Sequence, residues 1–470
     1  ELLDAQLAAL ARDLPPAAIE LGMLGSVENL RVVLRWIDRL RAGAPVPVVV
    51  DPVLRASTGA WLAGDTLLRA YMEELLPRAS LVTPNRAEAA ALLGLPPAME
   101  AGELERQAEL LARHSGAAVV ITGGDAGHGA QPGPYEADAD QARDYAITGQ
   151  ARGWLSLPRI HTRHDHGTGC VFAASAAAAL ALGYCTMDAI VLAKMASAQA
   201  LRNAWPAGAG AGPVRPRAGF AQDVANLPGL SGTQGPAASG FAPLDAARLG
   251  LYAVVDSAGW VERVLAAGVR AVQLRIKDPQ APGLSAEVAR SVAAARAADA
   301  QLYVNDHWRL AIEHGAWGVH LGQEDLETAD LAAIRRAGLR LGVSTHAYWE
   351  VCRAWALRPS YIACGPIHPT ASKAMPWIPQ GEGNLAYWSQ LLPVPVVGIA
   401  GIDAPRARQV LRTGAAGAVV MSGIPAAADP QAAIAALQAA VEEGRWGPRL
   451  PMPPMARPTL VEARGLAAAR

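Results

Sequence analysis

Two carboxylates of this chain follow directly after two successive apolar segments. Residues 302–304 lead into Asn305-Asp306, and residues 317–321 lead into Gly322-Gln323-Glu324-Asp325. Each segment has the character of a buried parallel strand, and α/β enzymes place their chemistry just past the carboxyl ends of such strands. Paired carboxylates there suit Mg²⁺, which prefers oxygen ligands and often bridges to substrate phosphates. The sequence therefore predicts a metal-assisted enzyme that acts on a phosphorylated substrate.

Cationic and amide side chains alternate at the end of the preceding apolar segment. A strand would direct Gln273, Arg275 and Lys277 to one face, which is the interior if the sheet closes into a barrel. Two inward cations need an anion to pair with, and a bound diphosphate would supply one. Two alternatives stay open, namely a strand-end salt-bridge cluster for the cations and helix caps for the two aspartates.

Later loops add hydroxyls, glycines and another cation at the ends of predicted strands. A Gly- and Pro-rich loop with hydroxyls and an ammonium group suits a phosphate, and backbone amides after the last two strands of a barrel commonly bind one. For each loop taken alone, an ordinary turn is the alternative. The residues are Ser344, Thr370, Ser372, Lys373, Gly398, Gly401, Ser422 and Gly423.

Short apolar strands alternate with Ala-rich helical stretches throughout the second half of the chain. The spacing predicts eight strands, at residues 251–255, 271–276, 302–304, 317–321, 340–343, 361–364, 394–399 and 417–421. Eight such units form a closed (β/α)8 TIM barrel. An open doubly wound sheet is the alternative fold.

The first half also alternates, which predicts an α/β/α layered domain. Three predicted strands, at residues 46–50, 80–82 and 118–121, end at Asp51-Pro52, Thr83-Pro84-Asn85 and Thr122-Gly123-Gly124. Further on, Gly167-Thr168-Gly169-Cys170 opens a long Ala-rich helix. Free backbone N–H groups and the positive end of the helix dipole suit an anion at that point.

Length and composition predict two domains. A chain of 470 residues is too long for one ordinary core. We predict a first domain over 1–205, a Gly- and Pro-rich linker over 206–246, the barrel over 247–445 and a loose Pro-rich tail over 446–470. The linker composition cannot bury enough apolar surface to fold by itself.

Charge and cysteine content exclude several classes of protein. The formal net charge is -1, from 41 basic and 42 acidic side chains, so we expect neither nucleic acid nor an anionic membrane as a partner. The 4 cysteines have neither metal-site nor disulfide-framework spacing, which suits a reducing cytoplasm. We also expect a homo-oligomer.

Several stretches between residues 251 and 423 resemble thiamine-phosphate synthase over essentially the whole predicted barrel. This family joins hydroxymethylpyrimidine diphosphate to a thiazole phosphate and releases pyrophosphate. Ser372 stands where threonine is familiar, which keeps a hydroxyl. The matching stretches are Leu251-Tyr252-Ala253-Val254-Val255-Asp256, Gln273-x-Arg275-x-Lys277, Val304-Asn305-Asp306, Gly322-Gln323-Glu324-Asp325, Gly342-Val343-Ser344 and Gly365-Pro366 through Pro369-Thr370-x-Ser372-Lys373.

The resemblance implies a role for each barrel residue named above. Asp306 and Asp325 would bind the Mg²⁺ that holds the diphosphate, and Arg275, Ser344 and Lys373 are the catalytic candidates. The leaving diphosphate would contact Arg275, Lys277, Asn305 and Lys373; the pyrimidine would contact Gln273 and Ser344; and the thiazole phosphate would contact Thr370, Ser372, Gly401, Ser422 and Gly423, with Gly398 in the same glycine loop.

The first half resembles the hydroxymethylpyrimidine (phosphate) kinases of the ribokinase-like family. The resemblance rests on Asp51-Pro52-Val53, Thr83-Pro84-Asn85-x-x-Glu88, Thr122-Gly123-Gly124 and Gly167-Thr168-Gly169-Cys170, in that order. It implies that ATP and Mg²⁺ lie near Asn85 and Glu88, that Thr122 and Gly124 line the nucleotide site, and that Gly167, Thr168 and Gly169 form the anion hole.

Cys170 would then lie beside the acceptor hydroxyl, where many relatives have aspartate. Thr122 stands where lysine is familiar. The N-terminal strand and Gly/Ser-rich loop of the family have no match in this chain, so we expect a kinase domain that lacks its N-terminal segment.

The favoured hypothesis is a bifunctional enzyme of thiamine biosynthesis whose partners are small phosphorylated pyrimidine and thiazole substrates. The alternative keeps an active synthase barrel and makes the first half a non-catalytic binding or dimerisation module. A barrel isomerase acting on a sugar phosphate is a third hypothesis, and it would need a general base at the barrel centre.

Overall fold

The computed structural model describes residues 1–55, 61–124, 140–232, 239–370 and 376–460. These residues form two compact units, the first comprising residues 1–232 with Leu460 and the second residues 239–459. In the described ranges, none of the helices has both the length and the apolar character that a membrane crossing requires.

The described part of the first unit is built on a seven-stranded sheet. Strands β1 to β4 are parallel and in sequence order, and β5, β6 and β7 continue the sheet in antiparallel fashion. The elements are α1 (Leu2–Asp13), β1 (Ile19–Leu21), α2 (Val27–Arg41), β2 (Val48–Val50), α3 (Asp65–Ala70), β3 (Leu81–Val82), α4 (Arg86–Leu93), α5 (Ala101–Ser115), β4 (Ala118–Ile121), β5 (Gln141–Ile147), β6 (Arg152–Pro158), α6 (Thr168–Ala181), α7 (Thr186–Arg202) and β7 (Gly229–Ser231).

This sheet contains strands that the sequence pattern did not reveal. The three predicted strands are β2, β3 and β4, whereas β1 and β5 to β7 were missed. Strand β7 lies inside the predicted linker, where Leu227 and Leu230 are buried and Gly229 pairs with β6. The expectation that this segment buries little apolar surface is therefore wrong at residues 227–231. Its strand forms through backbone hydrogen bonds to a neighbour, and composition does not report these.

The second unit is a closed barrel of eight parallel strands within the described residues. Each predicted strand is present, and pairing of β15 with β8 closes the ring. The elements are β8 (Gly250–Val255), α8 (Ala258–Ala266), β9 (Ala271–Leu274), α9 (Leu284–Ala297), β10 (Gln301–Asn305), α10 (Trp308–Glu313), β11 (Gly318–Leu321), α11 (Leu331–Arg336), β12 (Arg340–Thr345), α12 (Tyr348–Ala356), β13 (Tyr361–Cys364), α13 (Gly381–Leu391), β14 (Val396–Ile399), α14 (Ala404–Arg412), β15 (Gly417–Val420) and α15 (Pro430–Trp446).

Three tyrosine rings fill the middle of the barrel. Tyr252, Tyr303 and Tyr361 are fully buried, with ring centroids between 5.1 and 6.0 Å apart. Two glycines on neighbouring strands make room for these rings. A Cβ on Gly318 would lie 2.7 Å from the Tyr303 ring, and one on Gly342 would lie 2.1 Å from Cζ of Tyr361.

We expect Gly342→Ala to destabilise the barrel by about 1–3 kcal/mol, the usual cost of overpacking a core. The added methyl group overlaps Tyr361, whose hydroxyl is bonded to both Tyr252 and His320 and cannot move without losing those bonds. Urea denaturation would measure the change. Gly383→Ala is the matched control, because a Cβ there meets nothing within 4 Å on an exposed helical turn. Equal stability of the two variants would contradict the prediction.

The chain after α15 packs on the barrel. Leu450 N donates to Arg412 O at 2.8 Å, and Arg457 N donates to Asn384 Oδ1 at 2.8 Å. Ala456 N donates to the hydroxyl of Tyr348 at 3.0 Å. The expected loose tail is therefore ordered against helices of the barrel as far as residue 459, because backbone and side-chain hydrogen bonds replace a hydrophobic run.

Candidate active sites

The two aspartates that follow β10 and β11 lie together at the barrel mouth. Burial raises the pKa of Asp325, and the adjacent charge of Asp306 and a hydrogen bond between the two carboxyl groups raise it further. Gly322 N donates to Asp325 Oδ2 at 3.0 Å. Asp306 has a φ of 62°, a left-handed backbone conformation that aspartate tolerates better than most residues. The barrel thus brings these residues together as the sequence pattern predicted.

A cation from the preceding strand completes this cluster. Lys277 Nζ lies 3.1 Å from Asp306 Oδ2, and its side chain is 61% exposed to solvent. Arg275 follows β9 more deeply, where its Nη1 contacts Met421 Sδ at 3.9 Å. A thioether is a weak acceptor, so the guanidinium keeps most of its capacity for an anion. Predicted site residues Ser372 and Lys373 lie outside the described residues.

The carboxylate pair fits Mg²⁺ by the chemistry of its donors. Burial and then the neighbouring charge of Asp306 raise the pKa of Asp325, and a divalent cation between the two carboxylates would offset both effects. Among the described residues, no group of three or more His, Cys, Asp or Glu side chains could hold a metal ion. Two protein carboxylates would leave the remaining positions to water and phosphate oxygens, which is the usual arrangement for Mg²⁺.

An amide beside this pair is buried without a partner. Asn305 is 5% exposed, and its Nδ2 makes no hydrogen bond to any residue in the described ranges. A buried N–H group without an acceptor costs about 1–3 kcal/mol. A phosphate oxygen at this position would accept that hydrogen bond, which agrees with the role predicted for Asn305.

Gln273 and Ser344 are joined through three side chains inside the barrel. Gln273 Nε2 donates to Tyr252 at 3.2 Å, and the hydroxyls of Tyr252 and Tyr361 are 2.8 Å apart. His320 bridges Tyr361 and Ser344, at 2.8 Å from its Nδ1 and 2.9 Å from its Nε2. Burial lowers the pKa of His320 to about 4 despite the opposing charge of Asp306, so its imidazole is neutral.

The site roles of Tyr361 and His320 were not predicted from the sequence. His320 lies two residues after Gly318 on β11, so the two residues share a face of the strand, which indicates that the His320 side chain points into the barrel. No role was predicted for Gln323, which belongs to the motif Gly322-Gln323-Glu324-Asp325. Its Nε2 donates to the Ser344 carbonyl at 2.8 Å and so holds the backbone of β12 at the mouth.

The glycine loop after β14 has two different environments. Gly401 has a φ of 66°, and a Cβ there would lie 2.7 Å from His368 Cβ, so this position requires glycine. A Cβ on Gly398 would instead point toward Leu385 and Val410 in the surrounding helices, at 2.8 and 3.2 Å. The Cα hydrogen side of Gly398 therefore faces the helices, and only its peptide groups could contact a ligand inside the barrel.

The start of α6 lies beside buried carboxylates in the first unit. Gly167, with a φ of 88°, precedes the helix, and a Cβ on Gly169 would lie 3.5 Å from Asp51 Oδ2. Burial raises the pKa of Asp51 to about 7, with further contributions from Glu88 and Glu20. The position of Glu20 near Asp51 was not predicted, since no carboxylate pattern marks it in the sequence.

Cys170 is exposed in the first turn of α6. Although the residue is exposed, partial desolvation of its sulfur raises the pKa of the thiol, and the charges of Asp51 and Glu20 raise it further. The thiol is therefore protonated near neutral pH. Such a group can hold a hydroxyl by hydrogen bonding, but it is a poor general base.

Asn85 and Glu88 form a capping box at the start of α4. Asn85 Oδ1 accepts from Glu88 N at 2.9 Å, and Glu88 Oε2 accepts from Asn85 N at 3.0 Å. Thr122 lies next to this cap, because its N–H donates to Pro84 O at 2.9 Å. The fold thus brings the predicted nucleotide-site residues of two strand ends together.

A buried ion pair supports the loop that follows β4. Asp144 Oδ1 accepts from Gly123 N at 3.0 Å, and Asp144 Oδ2 lies 2.7 Å from Lys194 Nζ. The Asp144 and Lys194 side chains are 8% and 7% exposed. The Asp144–Lys194 ion pair was not predicted from the sequence, although a lysine within the apolar helix α7 is a signal for a buried partner.

The second unit has the fold and the mouth of a (β/α)8-barrel enzyme, with carboxylates and cations at the strand ends where barrel chemistry occurs. The family model of thiamine monophosphate synthase matches residues 251–424. The family model of phosphomethylpyrimidine kinase matches residues 1–215.

Individual proteins are similar to parts of the chain. Thiamine-phosphate synthase of Salmonella newport is 55% identical over 191 residues, which cover 40% of this chain and 90% of that protein. Thiamine phosphate pyrophosphorylase from Pyrococcus furiosus has a TM-score of 0.39 and 29% identity, over 43% of this chain and 99% of its own. Pyridoxal kinase from Staphylococcus aureus in complex with ADP has a TM-score of 0.39 and 30% identity, over 45% of this chain and 72% of its own.

The chain belongs to the thiamine-phosphate synthase family. Its first unit carries a phosphomethylpyrimidine kinase domain, so the chain combines transferase and kinase domains of thiamine biosynthesis. The predicted fold classes and the predicted pathway are confirmed, and nothing in these comparisons favours a non-catalytic first half.

Proposed function

We propose that the barrel condenses hydroxymethylpyrimidine diphosphate with thiazole phosphate to give thiamine phosphate and pyrophosphate. The observation that carries this proposal is the cluster at the mouth, where Lys277 lies 3.1 Å from Asp306 and the Asn305 amide has no partner within the described residues. These groups suit a diphosphate that carries a divalent cation. The first unit phosphorylates hydroxymethylpyrimidine or its phosphate with ATP.

The condensation proceeds by departure of pyrophosphate. The C–O bond of the pyrimidine methylene group breaks, its electron pair leaves with pyrophosphate, and the electron-rich aminopyrimidine stabilises the resulting cation. The thiazole nitrogen then forms the new C–N bond. When bound to Asp306 and Asp325, Mg²⁺ supplies positive charge to the leaving diphosphate.

The protein supplies charge and position rather than a strong base. Lys277 and Arg275 neutralise the departing diphosphate, together with Lys373, and Asn305 donates a hydrogen bond to it. Gln273 and Ser344 hold the pyrimidine. The thiazole phosphate is bound by hydroxyls and backbone amides of the later loops, at Thr370, Ser372, Gly398, Gly401, Ser422 and Gly423.

The kinase site lies at the strand ends of the first unit. Asn85 and Glu88 act on the Mg²⁺–ATP phosphates, Thr122 and Gly124 line the nucleotide site, and the N–H groups of Gly167, Thr168 and Gly169 stabilise the transferring phosphoryl group. Cys170 positions the acceptor hydroxyl, since its protonated thiol is a poor base.

Separate assays of the two reactions on the same chain test this proposal. We expect Mg²⁺-dependent pyrophosphate release from the two condensation substrates, and ATP-dependent phosphorylation of the pyrimidine alcohol. Cys170→Ala should lower the phosphorylation rate about a hundredfold, the loss that misplacing a substrate by about 1 Å can cause, and leave condensation unchanged. Cys185→Ala is the control, because that cysteine is buried at the start of helix α7 and not in the turn that opens α6.

Three outcomes would count against the proposal. Absence of pyrophosphate release would refute the barrel assignment. Condensation without phosphorylation in the unaltered chain would favour a non-catalytic first unit. Equal loss of both activities in Cys170→Ala would contradict two independent sites.

A further inference from the structure

An unbroken line of hydrogen bonds crosses the interior of the barrel. It begins at Gln273 on β9, passes through Tyr252 and Tyr361, continues through both nitrogens of His320, and ends at Ser344 on β12. Its four links measure 3.2, 2.8, 2.8 and 2.9 Å. The three middle residues are buried: Tyr252 is 1% exposed, Tyr361 is 0% exposed and His320 is 6% exposed. We call Gln273, Tyr252, Tyr361, His320 and Ser344 the barrel relay.

The number of protons in the relay restricts the direction of its links. Burial raises the pKa of both tyrosine hydroxyls, so each keeps its single proton. A neutral imidazole also carries one N–H. Each tyrosine hydroxyl could accept two hydrogen bonds, but its own proton would then have no partner in the relay. When every proton of the relay is paired, each middle group accepts from one side and donates to the other. All links then point the same way. With Gln273 Nε2 toward Tyr252, they run from Gln273 to Ser344, and the opposite direction requires the Gln273 amide to turn over so that its oxygen accepts from Tyr252.

The two directions leave opposite groups available at the ends. If Gln273 donates into the relay, its carbonyl oxygen remains to accept, and Ser344 receives a hydrogen bond from His320 and keeps its own proton to donate. If Ser344 donates into the relay, its oxygen remains to accept, and the Gln273 amide nitrogen remains to donate. The Ser344 proton is therefore available to the substrate only while the Gln273 carbonyl oxygen is turned away from the relay.

We propose that Tyr252, Tyr361 and His320 are positioning residues that couple Gln273 to Ser344, so that Ser344 donates to the substrate while the Gln273 carbonyl accepts from it, and Ser344 accepts while the Gln273 amide donates. This inference rests on the proposed function, in which both end residues contact the pyrimidine. An aminopyrimidine edge offers the complement, namely an amino N–H and a ring nitrogen. A ligand with two acceptors on that edge would leave one buried group unpaired, at the cost of lost affinity.

Coupling through the relay is measurable as non-additivity of two substitutions. Gln273→Met and Ser344→Ala would be made singly and together, and kcat/KM for condensation determined for each. We expect the double variant to deviate from the product of the single effects by about tenfold, within the range seen for residues of one network. In a Tyr361→Phe background, which keeps the ring but removes the connecting hydroxyl, the deviation should fall below about twofold.

Tyr303→Phe is the control for the Tyr361→Phe background, because it also removes one tyrosine hydroxyl from the middle of the barrel. Its ring packs in the same cluster, 5.1 Å from that of Tyr361, but its hydroxyl donates to Gln301 and not to the relay. The tenfold deviation should persist there. If the deviation also persists in Tyr361→Phe, the coupling passes through the bound substrate and the inference is overturned. If the single variants of Gln273 and Ser344 leave kcat/KM unchanged, the inference fails, and continued pyrophosphate release would show that the proposed function stands without it.

A second measurement needs no altered tyrosine. In ¹⁵N-histidine spectra of the unaltered chain with Mg²⁺, hydroxymethylpyrimidine phosphate and its 4-oxo counterpart present reversed donor and acceptor patterns to the relay. We expect the single proton of His320 on opposite ring nitrogens with the two ligands, with the signal assigned by its loss in His320→Asn. The same tautomer with both ligands would overturn the inference.

Discussion

Asp325→Ala is expected to lower the rate of condensation about a thousandfold, since a divalent cation at a leaving group contributes several kcal/mol to transition-state stabilisation. The variant loses half of the carboxylate pair that holds Mg²⁺ in the proposed mechanism. It should remain folded, because the pKa of Asp325 is raised by burial and by Asp306, so its charge is unfavourable in the metal-free protein. Pyrophosphate release at increasing Mg²⁺ concentrations would measure the loss.

Two comparisons make the result specific. Glu324→Ala removes a neighbouring exposed carboxylate from the same loop and should leave condensation unchanged. Phosphorylation by the first unit should be equal in Asp325→Ala and in the unaltered chain, which serves as an internal control of folding. Normal condensation by Asp325→Ala at low Mg²⁺ concentration would refute the metal assignment.

Lys194→Met is expected to destabilise the first unit by about 3–5 kcal/mol, the usual cost of removing one partner from a buried ion pair. The substitution leaves Asp144 charged, 5% exposed, and paired only with the backbone N–H of Gly123 among the contacts described above. Hydrogen exchange of peptides from β5 and α7 during urea denaturation would report on the first unit separately. Condensation by the barrel should be unchanged.

Surface pairing provides the control for this prediction. Arg152 and Glu109 are 3.5 Å apart, but their side chains are 71% and 41% exposed. Arg152→Met should therefore change stability by less than about 1 kcal/mol, as is usual for an exposed pair. The double variant Lys194→Met/Asp144→Leu should recover much of the stability lost by the single change, because it removes the unpaired charge. Similar stabilities of Lys194→Met and Arg152→Met would contradict the assigned role.

Much of the barrel site could be predicted because it depends on local patterns. Apolar runs of strand length located β10 and β11, and the polar residues that follow them had to share one end of a parallel barrel. Asp306, Asp325 and Lys277 accordingly lie together in the structure. The alternation of Gln273 and Arg275 likewise indicated their inward direction, which follows from the two-residue period of a strand.

The relay was beyond the reach of such patterns. Tyr361 and His320 each look like one more inward residue of a strand, and their connection depends on Gly342, which leaves room for the Tyr361 ring. The Asp144–Lys194 pair joins a strand to a helix 50 positions later in the chain. Strand β7 was missed for a similar reason, since it exists through pairing with β6 and not through its own composition.

The sequence by itself determined which residues stand at strand ends and therefore the two fold classes, because hydrophobic periodicity and turn residues are local properties of the chain. Only the tertiary structure decided which of those residues touch. Distances across a closed barrel depend on ring size, glycine positions and strand register together, and these combine side chains that are far apart in sequence. The chemistry of Asp306 could thus be predicted from its neighbours, whereas the partners of His320 required the folded barrel.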